Sequence, residues 1–251
     1  VLLLAAFGAV IVGGVVLISG RDDPDESAVA ETGFFVEPLD VAPWESAPPN
    51  ASRPPELGGA QRDERDQLAE WARSVTENTD IPERAVYAYV RAEATLRAEQ
   101  PSCRLSWATL AGIGREESHH GQFGGATLAA DGTVSPPIIG PPLDGSEGVK
   151  EIRDTDGGEL DGDTTYDRAV GPMQFLPTTW ARWGERASGD GAAADPQNVD
   201  DAALSAARYL CASGTDLGTG RGWWQAVLTY NESVSYGKDV FSGADAYARA
   251  S

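Results

Sequence analysis

The sequence predicts a mainly α domain that carries one long Gly/Pro/Asp-rich loop insertion and stands behind a transmembrane helix and a disordered stalk. Three observations carry that reading. Apolar residues recur at helical spacing between start and stop signals over residues 61–251, residues 1–18 are uncharged, and the stretch between them is polar, Pro-rich and without periodicity. A chain of 251 residues exceeds the usual length of one domain, but its apolar and linker-like residues are so unevenly divided that one compact domain behind a tether is expected.

Val1 to Ile18 is almost wholly apolar, long enough at ~1.5 Å per residue to cross most of a ~30 Å hydrocarbon layer. Ser19-Gly20-Arg21 lacks a small-x-small cleavage pattern, so residues 1–20 read as a retained anchor or an uncleaved signal. From Arg21 to about residue 60, Pro, Ala, Ser, Asp and Glu predominate, a composition that buries too little apolar surface to order itself. Such a stalk spans about 35 Å as a flexible coil and on the order of 100 Å if Pro keeps it extended.

Within residues 61–251 the signals turn helical. Asp63 precedes a run from Glu64 to Val75, and Asp80 with Glu83 forms a capping-box pattern ahead of a helix that Pro101 stops. Ser106 is placed to cap a helix running through His120, with Gly121 to end it. Thr178 or Thr179, Asp201, Gly222 and Ser235 begin others, and Gly214 follows a further helical run. Between Phe123 and Asp167, Gly, Pro and Asp dominate, which reads as a long loop or a small two-stranded excursion.

Cys103 and Cys211 are the only cysteines and are not in CxxC spacing. A well-separated pair is more often a structural disulfide of an extracytoplasmic protein than a metal or redox site, two unpaired buried thiols being the alternative. The net charge of −20 excludes a broad basic surface and with it a nucleic-acid partner. An acidic polysaccharide would then have to be held by hydrogen bonds and stacking rather than by long-range attraction.

In SWATLAGIGREESHHG, Trp107, Leu110, Ile113 and Glu117 recur at spacings of three or four, so Glu117 continues an apolar stripe, whereas Glu116 points about 100° away. Desolvation at the end of such a stripe disfavours the ionised carboxylate and raises its pKa toward the range of a general acid. Periodicity by itself fits an ordinary surface residue near a helix end equally well.

GREESHHG, AVGPMQFLPTTW, DPQNVDDAALSAARYL and TYNESVSY, in this order, resemble the membrane-bound lytic murein transglycosylase B family of the lysozyme-like superfamily over roughly Asp80 to Tyr247. The resemblance implies a lysozyme-like helical domain that cleaves the glycan strands of peptidoglycan. It places the catalytic glutamate on Glu117, followed by Ser118. It puts Gln174 against sugar in the groove, with Met173 and Phe175 shaping the turn and wall, although core packing fits Met173 and Phe175 as well. Tyr230, Asn231 and Tyr236 would line the cleft beside the acid, and Thr165 stands where the family has a hydroxyl bonded to the catalytic carboxyl. The family's reaction uses one carboxyl. Glu117 would protonate the leaving oxygen of the MurNAc-GlcNAc bond, the muramoyl N-acetyl group would assist, and Glu117 would then deprotonate the sugar's 6-hydroxyl to give a 1,6-anhydro end.

Competing readings are a muramidase, which needs a second carboxylate ~5–9.5 Å away, and a noncatalytic glycan-binding protein. No cofactor is expected to be required. The Asp-rich stretch DTDGGELDGDTTYD invites Ca²⁺, with a solvated loop the favoured reading. The family's calcium loop would fall on SGDGAAADP, where Arg186 stands in place of the first acidic ligand, so that site is expected to be lost. His119 and His120 diverge on a helix and are not expected to bind metal. Trp223 and Trp224 are expected in the core rather than as a stacking face for sugar. Peptidoglycan strands and, through the N-terminal helix, the cytoplasmic membrane are the expected partners, with the domain on the extracytoplasmic face of the envelope.

Overall fold

A computed structural model describes residues 33–52, 54, 62–146 and 148–251. The expected anchor at residues 1–20 lies outside them. Among the described residues no helix is long and apolar enough to cross a membrane.

The architecture is mainly α, with seven α-helices among the described residues. They are α1 (Arg62–Asn78), α2 (Glu83–Glu99), α3 (Trp107–Ser118), α4 (Pro177–Trp183), α5 (Val199–Cys211), α6 (Gly220–Tyr230) and α7 (Val234–Ala250). α3 is the central element, packed against α7 on one side and α2 on another, while α2 also lies along α5. Every residue of α3 from Trp107 to Gly114 is buried, so this helix is enclosed all round and emerges only in its last turn. Its glycines permit that enclosure. A Cβ on Gly112 would stand 2.6 Å from the Val240 carbonyl oxygen, and one on Gly114 would overlap the Tyr89 hydroxyl.

Side-chain caps set most of the helix starts. Ser106 accepts the Ala108 N–H, Asn198 accepts those of Asp200 and Asp201, Thr219 accepts that of Gly222, and Ser233 that of Tyr236. Three starts therefore fall one to two residues ahead of the expected Asp201, Gly222 and Ser235. The expected Asp80 capping box does not form. Pro82 precedes α2 without a side-chain cap, and the Asp80 carboxylate instead accepts the Tyr247 hydroxyl at 2.7 Å. α3 stops at Ser118 rather than His120, because His119 and His120 turn to φ 52° and 58° before Gly121 at 83°.

The loop insertion contains the two-stranded excursion: β1 (Thr127–Leu128) pairs antiparallel with β2 (Val134–Ser135). Cys103 and Cys211 form a disulfide with Cα atoms 5.6 Å apart, closing a loop of 108 residues between α5 and the short turn after α2. Trp223 and Trp224 are both buried, their indole N–H groups donating to Thr109 Oγ1 and the Ser46 carbonyl.

The stalk expectation is corrected for residues 33–52, which run as an extended strap along the helical domain. Phe34 stacks on Tyr247 with ring centroids 5.3 Å apart, Leu39 N–H donates to Ser242, Asp40 pairs with Lys238, and Trp107 Nε1 donates to the Ser52 carbonyl. An extended strap supplies backbone acceptors to buried indoles and inserts isolated apolar side chains. It therefore orders without any helical or alternating pattern.

Candidate active site

Glu117 stands where α3 leaves the core, with Glu116 exposed beside it. The residue as a whole is half-buried, and protein atoms crowd its carboxyl. Tyr236, in the first turn of α7, donates a 2.6 Å hydrogen bond to Glu117 Oε1. Two influences oppose each other at this carboxyl. Burial pushes its pKa up, the Tyr236 hydrogen bond pulls it down, and the adjacent Glu116 charge adds a smaller push upward, leaving it raised from 4.5 to about 8. Burial and the nearby Glu117 hold the Tyr236 and Tyr230 hydroxyls well above their ordinary range, so both remain donors.

The segment Gly171-Pro172-Met173-Gln174 forms a tight reversal between Val170 and Phe175, which exchange backbone hydrogen bonds of 2.9 and 3.0 Å. Two side chains fasten it to the helix ends. Ser118 Oγ donates to the Pro172 carbonyl at 2.6 Å, and Tyr230 Oη donates to the Met173 carbonyl at 2.6 Å. Gly171 is required here, since its φ is 78° and a Cβ would overlap the Pro196 carbonyl. Gln174 is itself left-handed at φ 46°, its amide donating to the Gly171 carbonyl at 2.9 Å. The reversal is thus locked between the end of α3 and the end of α6, next to the Glu117 carboxyl.

A cavity of about 770 Å³ opens beyond this reversal, with Gln174, Phe175 and Tyr230 in its wall. Glu117 is not among its lining residues; Tyr230, whose ionisation the Glu117 charge opposes, connects the two. Phe175 packs edge-on against Trp180 and Tyr230 with centroids 5.3 and 5.8 Å apart, making an aromatic floor.

The expected site residues therefore divide. Glu117 and Tyr236 meet directly, and Gln174, Phe175 and Tyr230 share the neighbouring cavity. Asn231 is buried at the end of α6, its Oδ1 accepting the Ser233 N–H at 3.1 Å, which orients the turn into α7. Met173 is fully buried and is core. Ser118 is 2% exposed and its hydroxyl both donates to Pro172 and accepts the Gly121 N–H at 2.7 Å, so it fastens the turn rather than facing a ligand. Thr165 makes no hydrogen bond with Glu117. It is exposed in the Asp-rich loop, its N–H donating to Asp163 and its carbonyl accepting from Asp154. The hydroxyl that bonds the Glu117 carboxyl is that of Tyr236.

Asp154, Asp156 and Asp167 bring carboxylate oxygens within 4.8 Å of one another. Their order is accounted for by loop N–H groups. Asp154 Oδ1 accepts from Asp156, Gly157 and Gly158, Asp156 from Gly158 and Leu160, and Asp167 from the Thr155 backbone and hydroxyl. At the expected remnant of a calcium loop, the Arg186 guanidinium lies between Asp190 and the buried Asp201, at 2.9 and 3.0 Å. A cation belonging to the chain itself thus neutralises the two carboxylates.

Sequence reasoning missed Tyr209, Lys150 and Arg153 in the cavity wall; they come from a helix face and a loop with no shared motif. It also missed the network in which His120, fully buried, bonds the Tyr89 and Tyr247 hydroxyls at 3.2 and 2.9 Å. Burial depresses the His120 pKa. Burial also works to raise the Asp80 carboxyl, but hydrogen bonds to His120 and Tyr247 outweigh it and hold the group at about 2.

No protein-family model matches the sequence, and no curated protein matches it. Among solved structures, the chain is similar to the Escherichia coli lytic transglycosylase Slt35 in complex with bulgecin A. That similarity has 15% sequence identity and a TM-score of 0.43, and it covers 72% of this chain and 79% of that one.

Proposed function

We propose that the chain is a peptidoglycan lytic transglycosylase with a lysozyme-like catalytic domain, in which Glu117 is the single general acid and base. The observation that carries the reading is the Glu117 carboxyl, raised to about 8 and bonded by Tyr236. A carboxyl with that pKa is protonated at neutral pH and can donate to a glycosidic oxygen. Once it has donated, the Tyr236 hydroxyl stabilises the carboxylate, which can then remove the proton of the muramoyl 6-hydroxyl. The glycosidic C–O bond breaks, the leaving oxygen takes the Glu117 proton, and the 6-oxygen closes on the anomeric carbon as its own proton returns to Glu117. No water is consumed, and the carboxyl ends as it began.

The order of the four motifs supports this reading, and so does the aromatic-floored cavity next to the acid. The disulfide supports an extracytoplasmic location in the cell envelope, and residues 1–20 would supply the membrane anchor. No cofactor takes part. Incubating the full chain with glycan strands and weighing the products tests the proposal. Ends lighter by one water than a hydrolysed end are expected. Hydrated reducing ends would replace the reading with a muramidase, and uncut but bound strands would replace it with a glycan-binding protein.

A further inference from the structure

We infer that the cavity beside Tyr230 receives a carboxylate of the peptide stem carried by the glycan strand, and that Lys150 reads its charge. The inference rests on the proposed glycan-strand substrate. The cavity's volume, about 770 Å³, falls within the ~300–1,000 Å³ of pockets that enclose a drug-sized ligand. Phe175 and Tyr230 of the aromatic floor line it, and so do Lys150, Glu151 and Arg153 of the loop insertion.

The charges of this wall are not equivalent. Arg153 is committed, paired with Glu151 at 2.6 Å and stacked over Tyr166 at 4.6 Å. The chain has only two lysines. Lys238 pairs with Asp40 on the strap, whereas Lys150 pairs with no carboxylate among the described residues and is part-buried at the cavity. Glu232, which also lines the cavity, adds a negative charge near Tyr209.

In a chain of net charge −20, a cation left uncommitted in a cavity wall is a selective feature, because the surrounding field disfavours anions wherever no local positive charge offsets it. A bare sugar backbone of hydroxyls and acetamides gives an ammonium group no charged partner. The peptide stems of peptidoglycan do, through their carboxylates. Lys150 therefore makes the site prefer strands that carry stems over stripped ones, acting on binding rather than on the bond-breaking step.

The test compares the full chain on two substrates: glycan strands bearing stem peptides, and the same strands stripped of them by an amidase. The wild type is expected to favour the stem-bearing strands through a lower KM. Lys150→Ala reduces that preference about fivefold and Lys150→Arg retains it, as for a part-exposed ion pair; added salt erodes it in the wild type. A Lys150→Ala variant that changes both substrates alike, or neither, overturns the inference while leaving the cleavage reading intact. Binding measured in a Glu117→Gln background separates the two claims, since it reports stem recognition whether or not the chain cuts. A stem preference there that Lys150→Ala removes upholds the inference even if cleavage fails. Equal affinity for both strands overturns it.

Discussion

Replacing Glu117 with Gln is expected to abolish turnover and to make the protein more stable, and the gain should depend on pH. Gln has the shape of the protonated carboxyl and still accepts the Tyr236 hydroxyl. The folded carboxyl is raised from 4.5 to about 8, so its contribution to stability is fully present below about pH 4.5 and is lost as pH rises toward 8. Below pH 4.5 both states are protonated, and wild type and variant are equally stable. Between those limits the unfolded chain releases a proton that the folded chain retains, so wild-type stability falls relative to the variant. At pH 7 the offset corresponds to about 3 kcal/mol for a fully enclosed group, and partial exposure reduces it to about 1.5–2 kcal/mol. Thermal unfolding followed by circular dichroism from pH 4 to 9 should show a variant Tm higher by about 3–8 °C at pH 7, with the difference vanishing at pH 4. A variant less stable than wild type, or a gain that does not change with pH, would refute the reasoning that burial dominates at this carboxyl.

Other outcomes follow from the same geometry. Tyr236→Phe removes the hydrogen bond that holds Glu117 down, so the alkaline limb of the rate profile should move up by about one pH unit, with the rate about tenfold lower. A limb at the wild-type position would place the controlling proton elsewhere. Cys103→Ser with Cys211→Ser opens a loop of 108 residues and is expected to cost about 3–5 kcal/mol of unfolding free energy, read by urea titration. Gly114→Ala drives a methyl group into the Tyr89 hydroxyl, and should cost about 2–3 kcal/mol; an unchanged Tm would show that Tyr89 and its His120 partner can move.

Much of the helical domain was legible because its signals are local. Ser106 caps α3 as expected, Pro101 follows the end of α2, and Gly214 follows α5 in the left-handed conformation. Asp80 misled because a capping box is read from two residues, while the carboxylate was claimed by Tyr247 across 167 positions of sequence. The strap at residues 33–52 was illegible for a related reason, since it is held by single contacts to α3, α6 and α7 rather than by a repeating face. At the site, spacing along α3 fitted a surface residue equally well and it was the motif resemblance that singled out Glu117, whose enclosure follows from burial of the whole helix up to Gly114 rather than from one apolar stripe. The motif resemblance set Tyr236 in the cleft beside Glu117, and the two do meet. It set Ser118 beside Glu117 in the site and put the Thr165 hydroxyl on the Glu117 carboxyl, whereas Ser118 fastens the turn and Thr165 lies in the Asp-rich loop, because a motif fixes residue types and not the partner that each hydroxyl finds.

The most direct measurement is the ionisation of Glu117 itself, followed by carboxyl ¹³C shifts in protein labelled at glutamate and assigned by comparison with Glu117→Gln. One resonance, absent from the variant, should titrate near pH 8. If that resonance titrates near 4.5, the chain lacks a proton to give at neutral pH and the assignment of Glu117 as the acid is contradicted.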